Sequence, residues 1–186
     1  MRVLLTITVS LVLSILSHTA LDGQQSRRQG FWIGFGPGGG WNTSEGLDDE
    51  RRAGGALFVR LGGTVSPNVL LGGEAIGWGR SEDGATVTRG NTTFTALFYP
   101  SSTGGFFLKA GVGGSWVSVD TQVLGVNVSA TENGFGLTGG LGIDIRLSDN
   151  WSFTPGADLL IQAFDAGPNL TSTNSLVLLT LGFVRH

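Results

Sequence analysis

Catalysis and cofactor binding need nucleophiles, bases, metal ligands or phosphate cradles, and this sequence offers few of them. Two segments, Gly34-Phe35-Gly36-Pro37-Gly38-Gly39 and Gly134-Phe135-Gly136-Leu137-Thr138-Gly139, carry the G-x-G-x-x-G spacing of a dinucleotide loop. That loop works where a helix N-terminus follows it and turns free N–H groups toward the pyrophosphate. Strand-like alternation continues past both segments instead, so neither is read as a phosphate site. A Ser-His nucleophile pair or a histidine metal site needs a histidine as base or ligand. The chain has two, His18 near its start and His186 at its last position. Cysteine is absent, which removes disulfides, thiolate zinc sites and thiol catalysis. Glu45, Asp48, Asp49 and Glu50 make an acidic cluster whose expected state is solvated loop charge rather than a cation site. The sequence therefore predicts no catalytic residues, no cofactor and no metal.

Six further charges, Arg60, Glu74, Lys109, Asp144, Arg146 and Asp158, lie inside apolar, glycine-rich stretches and sum to zero. What they do depends on the elements that carry them.

Those elements are read within tight bounds. A chain of 186 residues suits one domain, and its basic residues form no run beyond Arg27-Arg28 and Arg51-Arg52, which argues against nucleic acid as a partner. Charged residues make up 13%, about half the share usual in a soluble domain, and there are 32 glycines. Residues 1–20 read as a secretory signal peptide, with Arg2 ahead of the apolar stretch Val3 to Leu16. A polar N-terminal segment, 21–30, follows, and 31–186 is read as one all-β domain. Eight strands are expected, at 31–41, 52–65, 69–80, 91–99, 105–119, 133–147, 151–164 and 174–184. Alternation is plainest in the sixth, where Phe135, Leu137, Leu141, Ile143, Ile145 and Leu147 share one face, and Gly136, Thr138, Gly140, Gly142, Asp144 and Arg146 the other. The third fits least well, because Leu70, Ile76 and Trp78 fall on the face of Glu74. Short turns are expected around Ser66-Pro67-Asn68, Ser101-Ser102-Thr103 and Ser148-Asp149-Asn150. Longer polar loops are expected at 42–51, 81–90, 120–132 and 165–173.

Short connections alternating with long ones are the pattern of an outer-membrane barrel, with both termini on the periplasmic side. A soluble lipocalin-like barrel shares the alternation, so the decision rests on which face is inside. The polar face is mostly Gly, Ser and Thr with only those six charges, whereas a water-facing sheet would carry many Lys and Glu. The apolar face carries no charge in its central part, as hydrocarbon demands at about 2–4 kcal/mol for a midplane Lys or Arg. Phe31, Tyr99, Phe106, Trp151 and Phe183 near the short turns, and Trp41 and Trp116 near the long loops, are read as interfacial aromatics. Pro37 and Pro155, inside strands, are each expected to sit at a β-bulge.

Closing a three-residue loop at 66–68 on Val65 and Val69 sets Arg60 opposite Glu74, and a similar count sets Asp158 opposite Gly140. The expected lumen ion-pair network joins Arg60 to Glu74 and Lys109 to Asp144, with Arg146 and Asp158 beside them.

Gly30-Phe31-Trp32-Ile33-Gly34-Phe35-Gly36, the run Leu141 to Asn150 and the closing strand resemble the outer-membrane β-barrel superfamily of outer membrane protein A and the opacity-type proteins. In that family the last strand usually ends on an aromatic, whereas here Val184-Arg185-His186 follow Phe183. The resemblance implies a closed, eight-stranded, antiparallel up-and-down transmembrane β-barrel that is non-enzymatic and structural or surface-interacting through four extracellular loops, with a plugged polar lumen. Its implied partners are outer-membrane lipids including lipopolysaccharide, and the barrel assembly machinery, with the barrel a monomer. The alternatives carried forward are a narrow channel for small apolar solutes and the soluble ligand-binding barrel.

Overall fold

The computed structural model describes residues 28–44, 52–82, 84–123, 126–167 and 170–186. The expected signal peptide and the acidic cluster Glu45 to Glu50 lie outside them. The strands are β1 (Phe31–Ser44), β2 (Arg52–Ser66), β3 (Val69–Glu82), β4 (Ala85–Phe98), β5 (Phe106–Val123), β6 (Val126–Ile143), β7 (Ile145–Arg146), β8 (Trp151–Gly167) and β9 (Leu170–Arg185). Each pairs antiparallel with its neighbours, and β1 pairs with both β2 and β9, so the sheet closes on itself. The two-residue β7 continues β6 past Asp144 and pairs with β8 in the same register, giving eight staves.

Closure follows from the solvent. A hydrocarbon surround offers no partner to an unpaired N–H or C=O, so every sheet edge within it must be joined. The face that meets this surround is apolar: Leu57 is 70% exposed, Phe94 62% and Leu179 56%, whereas Thr95 and Gln162 on the opposite face are fully buried. Bulky side chains point away from the barrel axis and small or polar ones toward it.

The inward face is less polar than the strand patterns suggest. Leu70, Ile76 and Trp78 are buried along with Glu74, which resolves the poor alternation of β3: both its charge and its large apolar residues point inward. Arg60 faces Glu74 as expected, but the turn differs. Ser66 pairs with Val69, a bulge falls at Val65, and only Pro67 and Asn68 connect the strands.

Neither proline makes a bulge. The pairing of β1 keeps one register from Phe35–Phe183 to Gly38–Thr180, and only the rungs of Gly36 and Pro37 are missing against β9. Pro155 keeps its place opposite Leu181, while the ladder on its other side is interrupted between Gly142–Gly156 and Ile145–Phe153. A proline lacks the N–H that would bridge one side, so each costs local rungs without shifting the strand. The second gap divides β6 from β7 at Asp144.

Three of the expected long loops are instead strand. β3 and β4 run on until Glu82 faces Ala85, and Gly84 beside that last pair has a φ of 78°. Asp-Gly between extended segments favours a tight hairpin because the glycine accepts positive φ. The other two hairpins close at Val123–Val126 and Gly167–Leu170. β-branched Thr and Val supply these polar segments with strand propensity, which outweighed their hydrophilicity. β5 and β6 each have 18 residues, against the roughly 9–11 that a tilted strand needs to cross the hydrocarbon. Both strands are therefore longer than a membrane crossing requires, and the surplus lies on the long-hairpin side.

Glycine is required where the wall crowds itself. A Cβ on Gly62 would overlap the Leu71 carbonyl oxygen of β3, while one on Gly139 would meet nothing within 4 Å. Gly62→Ala is expected to cost about 1–3 kcal/mol of folding stability, and Gly139→Ala less than about 0.5 kcal/mol, in urea-dependent refolding into detergent or lipid.

Candidate functional site

The residues with chemical character converge in the lumen, in layers stacked along the barrel. The central layer is ionic. Lys109 on β5 donates to both carboxylate oxygens of Glu74 on β3 at 2.6 Å, and pairs with Asp158 on β8 at 2.7 Å. All three are buried. In a ring of eight staves β3 and β8 stand opposite, so one ammonium between two carboxylates spans the barrel. Such a buried charge is tolerable only when its partners are in place. Thr180 donates to the second carboxylate oxygen of Asp158.

This differs from the expected pairing. Lys109 joins Glu74 and Asp158 rather than Asp144. Arg60, though opposite Glu74 in register, makes no ion pair with it: its guanidinium carbon lies 5.0 Å from the Phe58 ring centroid and 5.2 Å from that of Phe107. Arg146 is outside the network, bonded at the turn to Asp149 and the Ser148 carbonyl. Register could be counted from the sequence. Which long side chain reaches which carboxylate depends on how far each reaches across the lumen, and that could not.

Toward the long hairpins, Ala56, Phe58, Ile76, Trp78, Leu160, Leu176 and Leu178 form a buried apolar cluster. Beside it Gln162 of β8 donates to the Asn91 side-chain oxygen and the Gly90 carbonyl of β4, each at 2.9 Å, and Asn91 donates to the Leu137 carbonyl of β6. Toward the short turns lies a second cluster of Trp32, Leu70, Leu97, Tyr99 and Phe107.

The mouth on that side holds a polar cluster. The Tyr99 hydroxyl and the Thr154 hydroxyl each donate to Asp144 at 2.8 Å, and His186 lies 3.4 Å from the same carboxylate. Arg28 stacks on the Tyr99 ring, 3.6 Å from its centroid, and donates to the carbonyls of Pro67, Ser102 and Gly104. Burial lowers the Arg28 guanidinium from its ordinary range, against the opposing pull of Tyr99 and Asp144. Burial, reinforced by the neighbouring Asp144 charge and its hydrogen bond, raises the Tyr99 phenol well above 10.0. Arg28, Asn91, Gln162 and His186 carried no signal in the sequence, because neither tail residues nor isolated amides announce their partners.

Tyr99 was expected among the interfacial aromatics and is instead buried inside. Phe31, Phe106, Trp151 and Phe183 do lie on the outer face near the short turns. Trp41 is partly buried, and Trp116 lies over Gly77 and Gly90.

A closed barrel of eight staves with an apolar exterior and an interior of alternating apolar and polar layers defines an outer-membrane β-barrel. The chain belongs to the outer membrane protein beta-barrel domain family, whose model matches residues 8–183. Its place is the bacterial outer membrane. Among solved structures it is similar to Neisserial surface protein A, at 11% identity and a TM-score of 0.60, over 83% of this chain and 96% of that one. It is also similar to the attachment invasion locus protein Ail of Yersinia pestis, at 12% identity and 0.57, over 84% and 99%. The N-terminal β-barrel domain of Pseudomonas aeruginosa OprF matches at 12% identity and 0.51, over 84% and 98%. No curated protein sequence matches.

Two outcomes test the lumen. Lys109→Met leaves two buried carboxylates without their cation and is expected to cost about 3–5 kcal/mol; Arg60→Met, which keeps the stem between the rings and breaks no ion pair, should cost clearly less in the same urea titration. Tyr99 is the sole tyrosine, so phenolate absorbance reports it alone. The unfolded phenol ionises near 10.0 and the folded one higher. Its contribution to stability is therefore complete below pH 10 and lost as pH rises above it. The folded barrel should show no phenolate at a pH where the boiled protein is half ionised.

Proposed function

We propose that this protein is a non-enzymatic, non-conducting outer-membrane scaffold that presents its extracellular hairpins as an interaction surface. The observation that carries the reading is the lumen filling: Lys109 held between Glu74 and Asp158 lies between two buried apolar clusters. A continuous file of water would have to pass two predominantly apolar layers and an ionic layer in which Lys109 is already paired with both carboxylates. Strand material outside the membrane, in hairpins reaching Val123–Val126 and Gly167–Leu170, then remains as the part free to meet a partner. The outer face meets lipid, including lipopolysaccharide, and insertion is the work of the barrel assembly machinery. The barrel acts as a monomer.

Reconstitution into a planar bilayer tests the plug. The expected result is no unitary conductance in salt solution, with heat-modifiable gel migration confirming that folded barrels were present. Steady ohmic steps would establish a channel and sink the proposal.

A further inference from the structure

The outer wall is not equally bulky around its circumference. On β6, β8 and β9 the lipid-facing positions carry Leu137, Leu141, Leu159, Leu179 and Leu181. On β2, β3 and β4, in the half of the barrel nearer the long hairpins, they carry Gly55, Ala75, Gly77, Gly79 and Gly90 in adjoining rungs. These small residues floor a groove of about 530 Å³ walled by Phe35, Leu57, Val59 and Trp116. It continues past Leu57 and Gly77 into a second hollow of about 440 Å³ that reaches Gly79 and Thr88. Such volumes are those of ligand pockets, roughly 300–1,000 Å³. Closure of the wall does not ask for this hollow. A Cβ on Gly55 would meet nothing within 4 Å, and one on Gly77 only ordinary contacts, the nearest at 3.6 Å to the Trp116 ring. Gly90 is different: a Cβ there would strike that ring, so glycine lets Trp116 lie against the wall. A strand glycine without a local steric reason marks a close approach by something else.

We propose that this groove binds a flat, fused-ring lipid with a small uncharged hydroxyl head, held in the leaflet on the long-hairpin side. The inference goes beyond the interaction-surface reading and is independent of it, since it concerns the wall that meets lipid and not the hairpins. In a bilayer every competitor is as apolar as the site, so selection falls to van der Waals fit rather than hydrophobicity. A smooth floor beside an indole ring offers a rigid plane contact along its whole length. An acyl chain can follow the same surface only by giving up its rotational freedom, whereas a fused-ring body has none to lose. A second copy of the barrel fits less well, because a two-fold contact sets one hollow against another and leaves both unfilled. The head is chosen at the upper end. Thr88 lines the groove there, and Ser81 and Thr86 share a hydrogen bond of 2.8 Å one outward rung higher. Arg80 and Arg89 on the same strands fall on the lumen-facing parity of buried Trp78. Among the described residues the outward charge on that higher rung is Asp120, opposite Thr86, and its sign repels the phosphate of a phospholipid or of lipid A.

The test places the full-length barrel in phosphatidylcholine nanodiscs containing a sterol that carries a photoreactive diazirine on its rings, with cross-linked residues mapped by peptide mass spectrometry. Label is expected on residues 53–59, 75–79 and 114–118 at about tenfold or more the level on 157–163 and 177–181, and unlabelled cholesterol should displace it. Gly55→Leu fills the groove from a position where the fold has space. Heat-modifiable migration and the urea midpoint should therefore hold while labelling falls to that of the far wall. Gly63→Leu, equally unobstructed but on the short-turn side of the same strand, should leave labelling unchanged. Even labelling around the circumference, or retained labelling in Gly55→Leu, overturns the proposal. Equal labelling of the groove by a diazirine fatty acid that cholesterol fails to displace would show ordinary acyl chains there and also overturns it. So would photo-cross-linked dimers joined through 53–59, which would assign the face to a second copy. None of these results bears on the hairpins or the plug, and a conducting barrel would leave the groove proposal standing.

Discussion

The absence of water from the hydrocarbon layer is the constraint on which the rest of this structure depends. A backbone amide there has only other backbone amides to bond, and a sheet satisfies all of them only by closing. Eight staves make the tube narrow, and narrowness in turn decides which residues can line it. Hence the glycines facing inward at crowded rungs such as Gly62 and Gly72, where even a methyl group would strike the neighbouring backbone. The same constraint tolerates Pro37 and Pro155 only because each forfeits bonds on one side while the strand holds its register on the other.

Inside, the physics is reversed. Glu74, Lys109 and Asp158 are buried in the lumen, so these ionic groups must complete one another within it. One lysine satisfies two carboxylates there, and buried apolar clusters lie above and below, where a low-dielectric surround strengthens the contact. The mouth on the short-turn side repeats the principle at smaller scale: Asp144 gathers Tyr99, Thr154 and His186 from three parts of the chain. Arg28 covers the group from the N-terminal side.

Much of this was legible in the residues alone. Period-two alternation gave the strands and their two faces, and scarcity of charge on the apolar face gave the lipid side. Counting from the Ser66-Pro67-Asn68 turn placed Arg60 against Glu74, and the count survived the tighter turn because the bulge at Val65 restores the offset of one residue. Side-chain partnership does not propagate in that way, so Lys109 found Asp158 rather than Asp144. Polar hairpins were read as loops because hydrophilicity and strand propensity are separate properties, and Thr and Val in 85–88 and 117–121 carry the second. Tyr99 misled because an aromatic near a strand end can face either lipid or lumen, and a single step in parity decides which.

The ionic layer has a mechanical side. A thin-walled tube squeezed by the lateral pressure of a bilayer fails first by going oval, since flattening bends the wall without stretching it. Lys109 ties together two walls on opposite flanks of the circumference, and the Gln162–Asn91 bond ties a second pair higher up. These struts brace the bore from within and so oppose that flattening.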